Sequence, residues 1–387
     1  MREEILVIHE NETLLVSGPA SVRRFEGEVY CLGRKIKDYP VIVRKGRVLP
    51  FETPEHASVK LLLGSEASYE FQTENIGCKI WENDVKKYVD NFGKEIKKIL
   101  ILGSIDSGKT TLTSYLSNLA TEKKLNVGII DGDVGQADLT PPAFIGSKII
   151  KEEIFDLRDV VADNIYPIGV INIAGFEKYV IKGIINSLNY VKDSDLIIIN
   201  TDGYVDNGGI EYKLNLAKEV DPDLIFITSG NNLAKIFAEK FGNKIEVLKQ
   251  PVGINKSKII RIARREMQYS RYLVMAEKAT ANLNEVKIGF LGIKFDGEYS
   301  SNIFNSYEEI IIFDSIGKKL GISTKALEKM FVGIEKEGKI KGFGVIDHIY
   351  QDKLRIRTSL KPPFETIWLT NIKLTDTGER KIKVSLI

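Results

Sequence analysis

The pattern of apolar and polar positions changes twice along the chain. Up to about residue 80, short apolar or alternating segments such as ILVIHE and TLLVSG are separated by Gly, Pro and charged turns, which predicts an all-β region. From about 95 to 278, helix-length segments alternate with apolar runs such as KILILG, YPIGVINIA and DLIIIN. Runs that are apolar throughout indicate strands covered on both faces, as in a parallel α/β sheet. From Val286 the β pattern returns, with one helical segment predicted near STKALEKMFVGIEKE.

These three regions predict three domains. A chain of 387 residues fits two or three domains at roughly 100–200 residues each. We assign residues 1–80 to an N-terminal β domain, 81–280 to a central domain and 281–387 to a C-terminal β-rich domain. The predicted fold class is α/β, with a mostly parallel central sheet flanked by a small all-β domain and a β-rich domain.

Composition narrows the class of protein. With 43% hydrophobic and 28% charged residues, the chain is typical of a soluble globular protein. The net charge of +2 means that any surface for nucleic acid must be a local concentration of cations. Apolar runs stay short of the ~18–20 residues of a membrane span, and the N-terminus lacks the apolar core of a signal peptide. Cys31 and Cys78 are too few for a disulfide framework, so a cytoplasmic protein without membrane contact is predicted.

A phosphate-binding motif lies between a strand and a helix. Residues 103–110 read GSIDSGKT, a full match to G-x-x-x-x-G-K-[ST], just after KKILIL and before TTLTSYLSNLA. The glycines let the backbone wrap tightly, so that successive N–H groups and the helix N-terminus point at a phosphate. Lys109 is expected to reach the β- and γ-phosphate oxygens, and Thr110 to bind Mg²⁺. The central domain is therefore predicted to be a P-loop NTPase domain that binds a nucleoside triphosphate.

Two carboxylates end the next apolar strand. NVGIIDGDVGQ carries Asp131 and Asp133, followed by Gln136. A carboxylate at this end of the strand beside the P-loop is the position that holds Mg²⁺ or its waters. Side chains two positions apart on a strand point to the same side, so one aspartate can serve the metal while the other takes a proton from an attacking hydroxyl. The pattern favours a phosphotransferase, and a solvated Asp- and Gly-rich turn is the alternative.

A further strand end carries an aromatic residue. DLIIIN is followed by Thr201-Asp202-Gly203-Tyr204 and a glycine-rich stretch, at the edge where open sheets bind ligands. Tyr204 could stack on a nucleobase, and packing within a turn is the alternative. The N-K-x-D motif of guanine-specific proteins is missing, because its nearest match, NKSK at 255–258, has Lys in place of Asp. ATP is therefore favoured over GTP.

An arginine-rich segment, NKSKIIRIARREMQYSRYL, is a candidate lid. Arg261 and Arg265 are four positions apart and share one face of a predicted helix. Guanidinium groups on a mobile helix can neutralise a phosphoryl group in transfer. A solvated basic face is the alternative interpretation.

In their order, these motifs resemble the polynucleotide 5′-hydroxyl kinases, a family that includes the kinase subunit of the eukaryotic pre-mRNA cleavage factor and archaeal homologues. The resemblance rests on G-x-x-x-x-G-K-T, on D-x-D-x-G-Q followed by LTPP, on T-x-G-aromatic and on the arginine-rich segment. It extends to the flanks, where GPASVRRFEGEVYCLGRKI and GFGVIDHIY are similar to the family's N- and C-terminal domains. The chain is most similar to a compact archaeal member.

The resemblance implies ATP and Mg²⁺ as cofactors and assigns roles to residues. Those implied to bind the ATP phosphates are Gly103, Ser104, Ile105, Asp106, Ser107, Gly108, Lys109, Thr110 and Thr111. The implied metal residues are Thr110 and Asp131, and the implied catalytic residues are Lys109, Asp133, Arg261 and Arg265. Asp133 is the implied base for the 5′-hydroxyl. The implied substrate contacts are Gln136, Thr201, Gly203, Tyr204 and Arg264, with Tyr204 where many members have Trp.

The predicted activity is ATP-dependent transfer of the γ-phosphate to the 5′-hydroxyl end of RNA, with DNA as a second candidate acceptor. A nuclease or ligase of RNA processing is the predicted kind of partner. One alternative is a nucleotide-bound, catalytically silent scaffold of an RNA-processing complex, but a scaffold has no need of a general base such as Asp133. The other is a P-loop ATPase or GTPase switch, which the missing N-K-x-D motif disfavours.

Overall fold

The chain folds into two compact units, each built from three segments of sequence. Unit 1 comprises Met1–Ile130, Lys148–Val161 and Val191–Ile260. Unit 2 comprises Asp131–Ser147, Ala162–Tyr190 and Arg261–Ile387. The computed structural model describes residues 2–73, 78–206, 208–250, 257–295, 309–313, 319–322, 324–350 and 353–386. The division into three domains at residues 80 and 280 stays a prediction.

Nine strands open unit 1 and form two antiparallel sheets. Their bounds are β1 (Arg2–His9), β2 (Thr13–Ser17), β3 (Ala20–Glu26), β4 (Tyr30–Cys31), β5 (Arg34–Lys35), β6 (Val41–Val43), β7 (Val48–Glu52), β8 (His56–Leu63) and β9 (Ser68–Gln72). One sheet has the order β1-β8-β3-β6 and the other β5-β4-β7-β2-β9. Leu14 of β2 pairs with Phe51 on one side and Phe71 on the other, and both Leu14 and Phe51 are fully buried. The predicted all-β character of this region is confirmed.

The middle of the chain alternates between helices and strands. The bounds are α1 (Lys79–Val89), β10 (Lys98–Leu102), α2 (Lys109–Glu122), β11 (Val127–Gly132), β12 (Phe144–Ile150), β13 (Asn164–Pro167), α3 (Glu177–Val191), β14 (Leu196–Thr201), α4 (Gly209–Val220), β15 (Leu224–Ile227), α5 (Asn231–Phe241), β16 (Ile245–Val247) and α6 (Lys258–Leu273). Single 3-10 turns lie at Leu157–Asp159, Gly242–Lys244 and Leu283–Glu285. Among the described residues, no helix combines the length and the apolarity needed to cross a bilayer.

A parallel sheet forms the core of unit 1. Its strands follow the order β11-β14-β10-β15-β16. Leu100 at the centre of β10 pairs in parallel with Ile199 of β14 and with Ile225 of β15, which pairs with Ile245 of β16. Leu100, Ile199 and Ile225 are fully buried, as expected for strands covered on both faces. The predicted α/β class is therefore confirmed.

Two strands of unit 2 depart from the predicted parallel pattern. Residues 144–147 of β12 pair antiparallel with β13, which itself contains only the first two residues of the run YPIGVINIA. The rest of that run is apolar but turns away, with Gly169 in a positive-φ conformation against the ring of Phe290. An apolar run alone does not distinguish a strand from a buried loop.

The C-terminal half of unit 2 is rich in β structure, as predicted. The bounds are β17 (Glu277–Asn282), β18 (Lys287–Phe290), β19 (Ile293–Phe295), β20 (Glu309–Phe313), β21 (Lys319–Ile322), α7 (Thr324–Leu327), β22 (Met330–Lys336), β23 (Lys339–Tyr350), β24 (Lys353–Thr358), β25 (Thr366–Thr375), β26 (Gly378–Lys381) and β27 (Lys383–Leu386). The main sheet has the order β17-β24-β23-β22-β25-β18-β19, with β26 paired to β25. A second sheet has the order β21-β20-β27.

The helix predicted near STKALEKMFVGIEKE is mostly wrong. Only the four residues of α7 are helical, and Met330–Lys336 forms the strand β22 between β23 and β25. Phe331, Val332 and Ile334 are fully buried, because a central strand is covered on both faces. Such a strand lacks the alternation that distinguishes strands from helices in a sequence.

Aromatic packing attaches α6 to this β-rich part of unit 2. The rings of Phe331 and Phe343 stack with centroids 5.7 Å apart, and Tyr269 of α6 lies 4.9 Å from Phe331. Tyr272, one turn further on, meets Phe343 edge-on at 4.9 Å. These contacts fix the orientation of α6, the helix that carries the predicted lid arginines.

Candidate active site

The P-loop of unit 1 connects β10 to α2 through strained backbone. Gly103, Asp106 and Gly108 all have positive φ values, of 153°, 57° and 91°. A Cβ atom on Gly103 would lie 2.3 Å from Thr228 Oγ1 and 2.7 Å from Ser107 Oγ, so only glycine fits there. The result is a narrow cradle whose backbone is free to face a ligand.

Lys109 lies across this cradle. Its ammonium donates hydrogen bonds to the carbonyl oxygens of Gly103, at 3.0 Å, and Ser104, at 2.6 Å, and the side chain is buried. Phosphate oxygens offer an ammonium stronger, charge-assisted hydrogen bonds than carbonyl oxygens do. The loop therefore holds a positive charge in place for an anionic ligand.

The end of β15 braces the P-loop through hydroxyl groups. Ser229 Oγ accepts from the Ser104 N–H at 2.8 Å and shares a hydrogen bond with its hydroxyl at 2.7 Å. The hydroxyls of Ser107 and Thr228 lie 2.7 Å apart, and both residues are fully buried. The sequence analysis did not predict Thr228 and Ser229 as site residues. Their position directly after an apolar strand could have indicated them, because ligands bind at the carboxyl ends of the strands in open α/β sheets.

The loop after β14 packs directly against the P-loop. Thr201 Oγ1 donates to the Ile101 carbonyl oxygen at 2.8 Å. A Cβ atom on Gly203 would lie 2.6 Å from the backbone nitrogen of Ile105. The structure thus brings Thr201 and Gly203, both predicted to bind substrate, beside the predicted phosphate-binding residues of the same unit.

A buried ion pair between Asp202 and Lys213 anchors the loop after β14 to α4. Asp202 Oδ2 accepts from Lys213 Nζ at 2.9 Å and from the Tyr212 hydroxyl at 3.0 Å, while its other oxygen accepts from the Tyr204 N–H at 2.8 Å. Lys213 is 0% exposed. The half-buried ring of Tyr204 stacks on Tyr212, with centroids 6.5 Å apart. Asp202, Tyr212 and Lys213 were not predicted to take part in the site. The lysine among the apolar positions of α4 could have indicated a buried ion pair.

In unit 2, Asp131 at the end of β11 and Asp133 just after it have different surroundings. Asp131 is 1% exposed, and its Oδ2 accepts from the N–H groups of Asp138, at 2.7 Å, and Leu139, at 3.2 Å. Burial, together with repulsion from Asp138 and Asp133, raises the pKa of Asp131 to about 7. Asp133 is half-buried, and its Oδ1 accepts from the Gln136 N–H at 3.0 Å. One carboxylate is therefore enclosed and the other is accessible.

Helix α6 is bound to the loop that follows these aspartates. Arg264 forms an ion pair with Asp138, whose backbone also donates to Asp131. The Gln268 side-chain amide lies 3.1–3.2 Å from three carbonyl oxygens of this loop, and the Tyr272 hydroxyl donates to the Leu139 carbonyl oxygen at 3.0 Å. Asp138 and Gln268 were missed, because nothing in their spacing pairs them.

The predicted lid arginines have separate environments. Arg265 binds Glu379 of β26 through two hydrogen bonds, at 2.6 and 2.7 Å, and the Tyr269 hydroxyl donates to the same carboxylate at 3.2 Å. Arg261 lies one turn earlier on α6 and is half-buried. Lys256, part of the same basic segment of sequence, lies outside the described residues.

Mg²⁺ fits the donors present in each unit. Thr110 supplies a hydroxyl at the start of α2, and Asp131 supplies an enclosed carboxylate whose ionised form a cation would favour. Within the described ranges, no group of three or more His, Cys, Asp or Glu side chains is arranged to hold a metal. Such a group is not required where phosphate oxygens and waters complete the octahedron.

Comparison with known families agrees with this geometry. Residues 103–274 match the family described as mRNA cleavage and polyadenylation factor CLP1 P-loop. This segment is similar to the CLP1 P-loop family. The match runs from the first glycine of the P-loop to the end of α6, so it contains every site residue predicted from the sequence. The family resemblance is therefore confirmed.

Several curated relatives of the CLP1 P-loop region carry a kinase name. The polyribonucleotide 5′-hydroxyl-kinase of Pyrococcus abyssi is 32% identical over 205 residues, and that of Methanocaldococcus jannaschii is 30% identical over 205 residues. Each alignment covers 52% of this chain, and they cover 57% and 56% of the two relatives. The matched segment thus spans little more than half the length of these relatives. A CLP1 homolog of Brugia malayi is 26% identical over 189 residues.

The fold is similar to that of a solved Clp1p structure. The solved structure of a wild-type Clp1p–Pcf11p complex has a TM-score of 0.71 and covers 99% of both chains at 12% identity. At that identity the likeness concerns the fold alone. It includes the β-rich regions on both sides of the P-loop core, so the predicted architecture is confirmed.

Proposed function

We propose that this chain is an ATP- and Mg²⁺-dependent kinase of the 5′-hydroxyl end of RNA, with DNA as a second acceptor. The observation that carries the proposal is the pair of aspartates at the end of β11, one enclosed and one accessible, in a segment that matches the CLP1 P-loop family and has a complete P-loop. The names of the archaeal relatives support it. A phosphotransferase needs both a metal-holding carboxylate and a base for its acceptor.

The P-loop would bind the triphosphate. Residues Gly103 to Thr111 would bind the phosphates, largely through backbone N–H groups, although the N–H of Ser104 already donates to Ser229. Lys109 would exchange its two carbonyl partners for β- and γ-phosphate oxygens. Thr110 and Asp131 would hold Mg²⁺, which when bound neutralises charge on the phosphate oxygens. Because Lys109 is already held in the cradle, little rearrangement accompanies binding.

Asp133 would act as the general base. The 5′ oxygen of the acceptor attacks the γ-phosphorus while the bond from that phosphorus to the β–γ bridging oxygen breaks. The hydroxyl proton passes to Asp133, and ADP leaves. The Gln136 N–H that donates to Asp133 Oδ1 orients this carboxylate.

The remaining predicted residues would bind or neutralise the substrates. Gln136, Thr201, Gly203, Tyr204 and Arg264 would contact the acceptor strand, and Arg261 and Arg265 would neutralise the phosphoryl group in transfer. Arg264 now binds Asp138 and Arg265 binds Glu379, so either arginine must exchange a carboxylate for a phosphate to take that role. Arg261 lies one turn before Arg265 on α6 and is the third arginine of the proposed lid segment.

The test uses γ-labelled ATP, Mg²⁺ and matched 5′-hydroxyl RNA and DNA oligonucleotides, with 5′-phosphorylated strands as controls. Label on the 5′-hydroxyl strands alone is the expected result. ATP binding without label on any strand would favour the silent scaffold. ATP hydrolysis at a rate that does not depend on the 5′-hydroxyl strands would favour the ATPase switch. A nuclease or ligase of RNA processing is the proposed partner, and the Pcf11p complex of the structural relative is a precedent for a processing-factor partner.

The first variant to examine is Asp133→Asn, which preserves shape but removes the base. We expect kcat to fall by about 10²–10⁴-fold, the usual contribution of a general base. Asp193→Asn, which changes an exposed aspartate after α3, is the matched control and is expected to keep the full rate. A rate for Asp133→Asn within a few-fold of this control would exclude the assigned role.

A further inference from the structure

The outer face of one edge of the C-terminal sheet in unit 2 is basic. Strands β17, β24 and β23 are neighbours there, and β17 is the edge strand. Exposed and buried residues alternate strictly along β24, so that Lys353, Arg355 and Arg357 all lie on the exposed face. The register places Lys278 of β17 directly opposite Arg357. We call the exposed residues Lys278, His348, Tyr350, Lys353, Arg355 and Arg357 the basic face.

The other neighbours on this face are polar rather than acidic. Arg355 lies between Thr280 of β17 and His348 of β23, and Lys353 lies between Asn282 and Tyr350. Asp347, at a bulge in β23, approaches Arg357 to 3.8 Å. Glu328 lies 3.2 Å from His348 Nδ1. Among the described residues, four lysine and arginine side chains thus share three short strand segments with two contacting carboxylates, in a chain whose net charge is only +2.

This concentration of positive charge lowers the stability of the sheet when no ligand is bound. Like charges directly opposite each other on neighbouring strands destabilise a sheet, and Lys278 and Arg357 are such a pair. A sheet face that only meets water has no need to concentrate cations of one sign. A polyanionic ligand would reverse this cost by neutralising the face.

We propose that the basic face binds the body of a single-stranded RNA beyond its 5′ end. The identity of the strand as the kinase acceptor rests on the proposed function. Side chains at alternate positions of a strand repeat every ~7 Å, close to the repeat of phosphates along an extended strand. Tyr350 is 64% exposed beside Lys353, where its ring can stack on a base.

The composition of the face favours a nucleic acid over an acidic protein. Protein interfaces have apolar or aromatic anchors surrounded by a polar rim, and they are depleted in lysine. Among the described residues of this face, Tyr350 is the one large hydrophobic side chain that is exposed. Lysine and arginine side chains with one aromatic ring are instead typical of grooves that bind single strands without reading their sequence.

The test is a triple variant, Lys353→Gln, Arg355→Gln and Arg357→Gln, in the full chain. The matched control is Lys192→Gln, Lys218→Gln and Lys240→Gln, which removes the same charge from exposed positions in or next to helices of unit 1. Binding of a long and a short 5′-hydroxyl RNA is measured by fluorescence anisotropy over a range of salt concentrations. Melting curves confirm that both variants are folded.

We expect the triple variant to bind the long strand roughly tenfold more weakly than the control variant does. The slope of log K against log salt should become shallower by about 2, since each lost phosphate contact accounts for ~0.7 on a single strand. The ratio of kcat/KM for the long strand to that for the short strand should fall by a similar factor. Equal affinity and equal slope in the two variants would overturn the proposal.

Two further measurements separate the alternatives. Tyr350→Leu should weaken binding of single-stranded but not duplex RNA, whereas Tyr350→Phe should bind as the unmodified chain does, because only the ring is needed for stacking. Polyglutamate that displaces the long strand at matched charge concentration would overturn the assignment in favour of an acidic protein. If no variant transfers phosphate but the triple variant still loses long-strand affinity, the proposed function fails and the basic face stands.

Discussion

At the scale of single residues, identical side chains acquire different properties from their surroundings. Asp131 and Asp133 are two positions apart, yet the first is enclosed with its pKa raised to about 7 and the second is half-exposed. Glu52 is a further case, because burial raises its pKa to about 7 although it accepts hydrogen bonds from the N–H groups of Cys78 and Lys79. Desolvation therefore raises the pKa of Glu52 by more than the two backbone donors lower it.

Glu52 predicts a pH dependence of stability. Its pKa in the folded chain lies above the ordinary value of 4.5, so between these values the folded state binds more protons than the unfolded state. The free energy of unfolding should therefore decrease as the pH rises from about 4.5 to about 7, by at most ~1.4 kcal/mol per pH unit.

The measurement is denaturant unfolding at several pH values within this window. Glu52→Gln keeps an oxygen that can accept from both N–H groups, and we expect it to remove the contribution of Glu52 to the slope. Asp131, whose pKa is also raised to about 7, keeps its own contribution in both variants. Glu55→Gln, which changes an exposed carboxylate three positions away, is the control and should leave the slope unchanged. An equal slope in both variants would mean that Glu52 does not titrate in this range.

At the scale of elements, strand ends and helices are held together by buried polar contacts. In unit 1, Asp202 connects the loop after β14 to α4 through Lys213, and that loop packs on the P-loop at Gly203. In unit 2, Asp138 connects the loop after β11 to α6 through Arg264. Each contact places a segment with predicted substrate residues against a rigid element.

The Asp202–Lys213 pair is open to a double-mutant cycle. Lys213→Met leaves a buried carboxylate without its ammonium, and we expect the free energy of unfolding to fall by ~3–5 kcal/mol. Adding Asp202→Asn should restore part of this loss, because the amide is uncharged and still accepts from the Tyr204 N–H. Thermal unfolding measures both. Additive losses in the double variant would show that the two side chains do not stabilise each other.

Gly203→Ala tests the contact between the same loop and the P-loop. The added methyl would lie 2.6 Å from the Ile105 nitrogen, so the P-loop must shift. We expect ATP affinity to fall at least ~10-fold, with a smaller effect on the melting temperature, as measured by calorimetry with ATP and by thermal unfolding. Unchanged ATP affinity would mean that the loop moves instead.

At the scale of the molecule, contacts distant in sequence decide what α6 can do. Arg265 binds Glu379, 114 positions later, and Tyr269 binds the same carboxylate. These contacts attach the arginine-rich helix to the C-terminal sheet of unit 2. A helix recognised in the sequence as a basic lid is thus also a structural part of its unit.

Two variants separate these roles of Arg265. Arg265→Gln and Glu379→Gln each break the same buried pair, so we expect similar losses of ~3–5 kcal/mol in the free energy of unfolding. If Arg265 also acts as a lid residue, kcat should fall further in Arg265→Gln than in Glu379→Gln. Equal kcat values in the two variants, measured well below their melting temperatures, would assign Arg265 to structure alone.

Local motifs made much of this protein predictable. The P-loop was readable because its chemistry requires glycines, a lysine and a hydroxyl residue at fixed spacing between a strand and a helix. The parallel sheet was readable because strands covered on both faces are apolar throughout. The same uniform apolarity made β22 unrecognisable as a strand, because a fully buried strand and a buried helix have similar patterns in a single sequence.

The sequence by itself determined the succession of β, α/β and β-rich regions, the phosphate-binding loop and the family resemblance. Only the tertiary structure decided which polar residues support the candidate site: Thr228 and Ser229 behind the P-loop, Lys213 beneath Asp202, Asp138 and Gln268 between α6 and the acidic loop. Their positions follow no local spacing, because each is set by which strand or helix becomes its neighbour. Burial then fixes their charges and partners, and burial is a property of the folded chain.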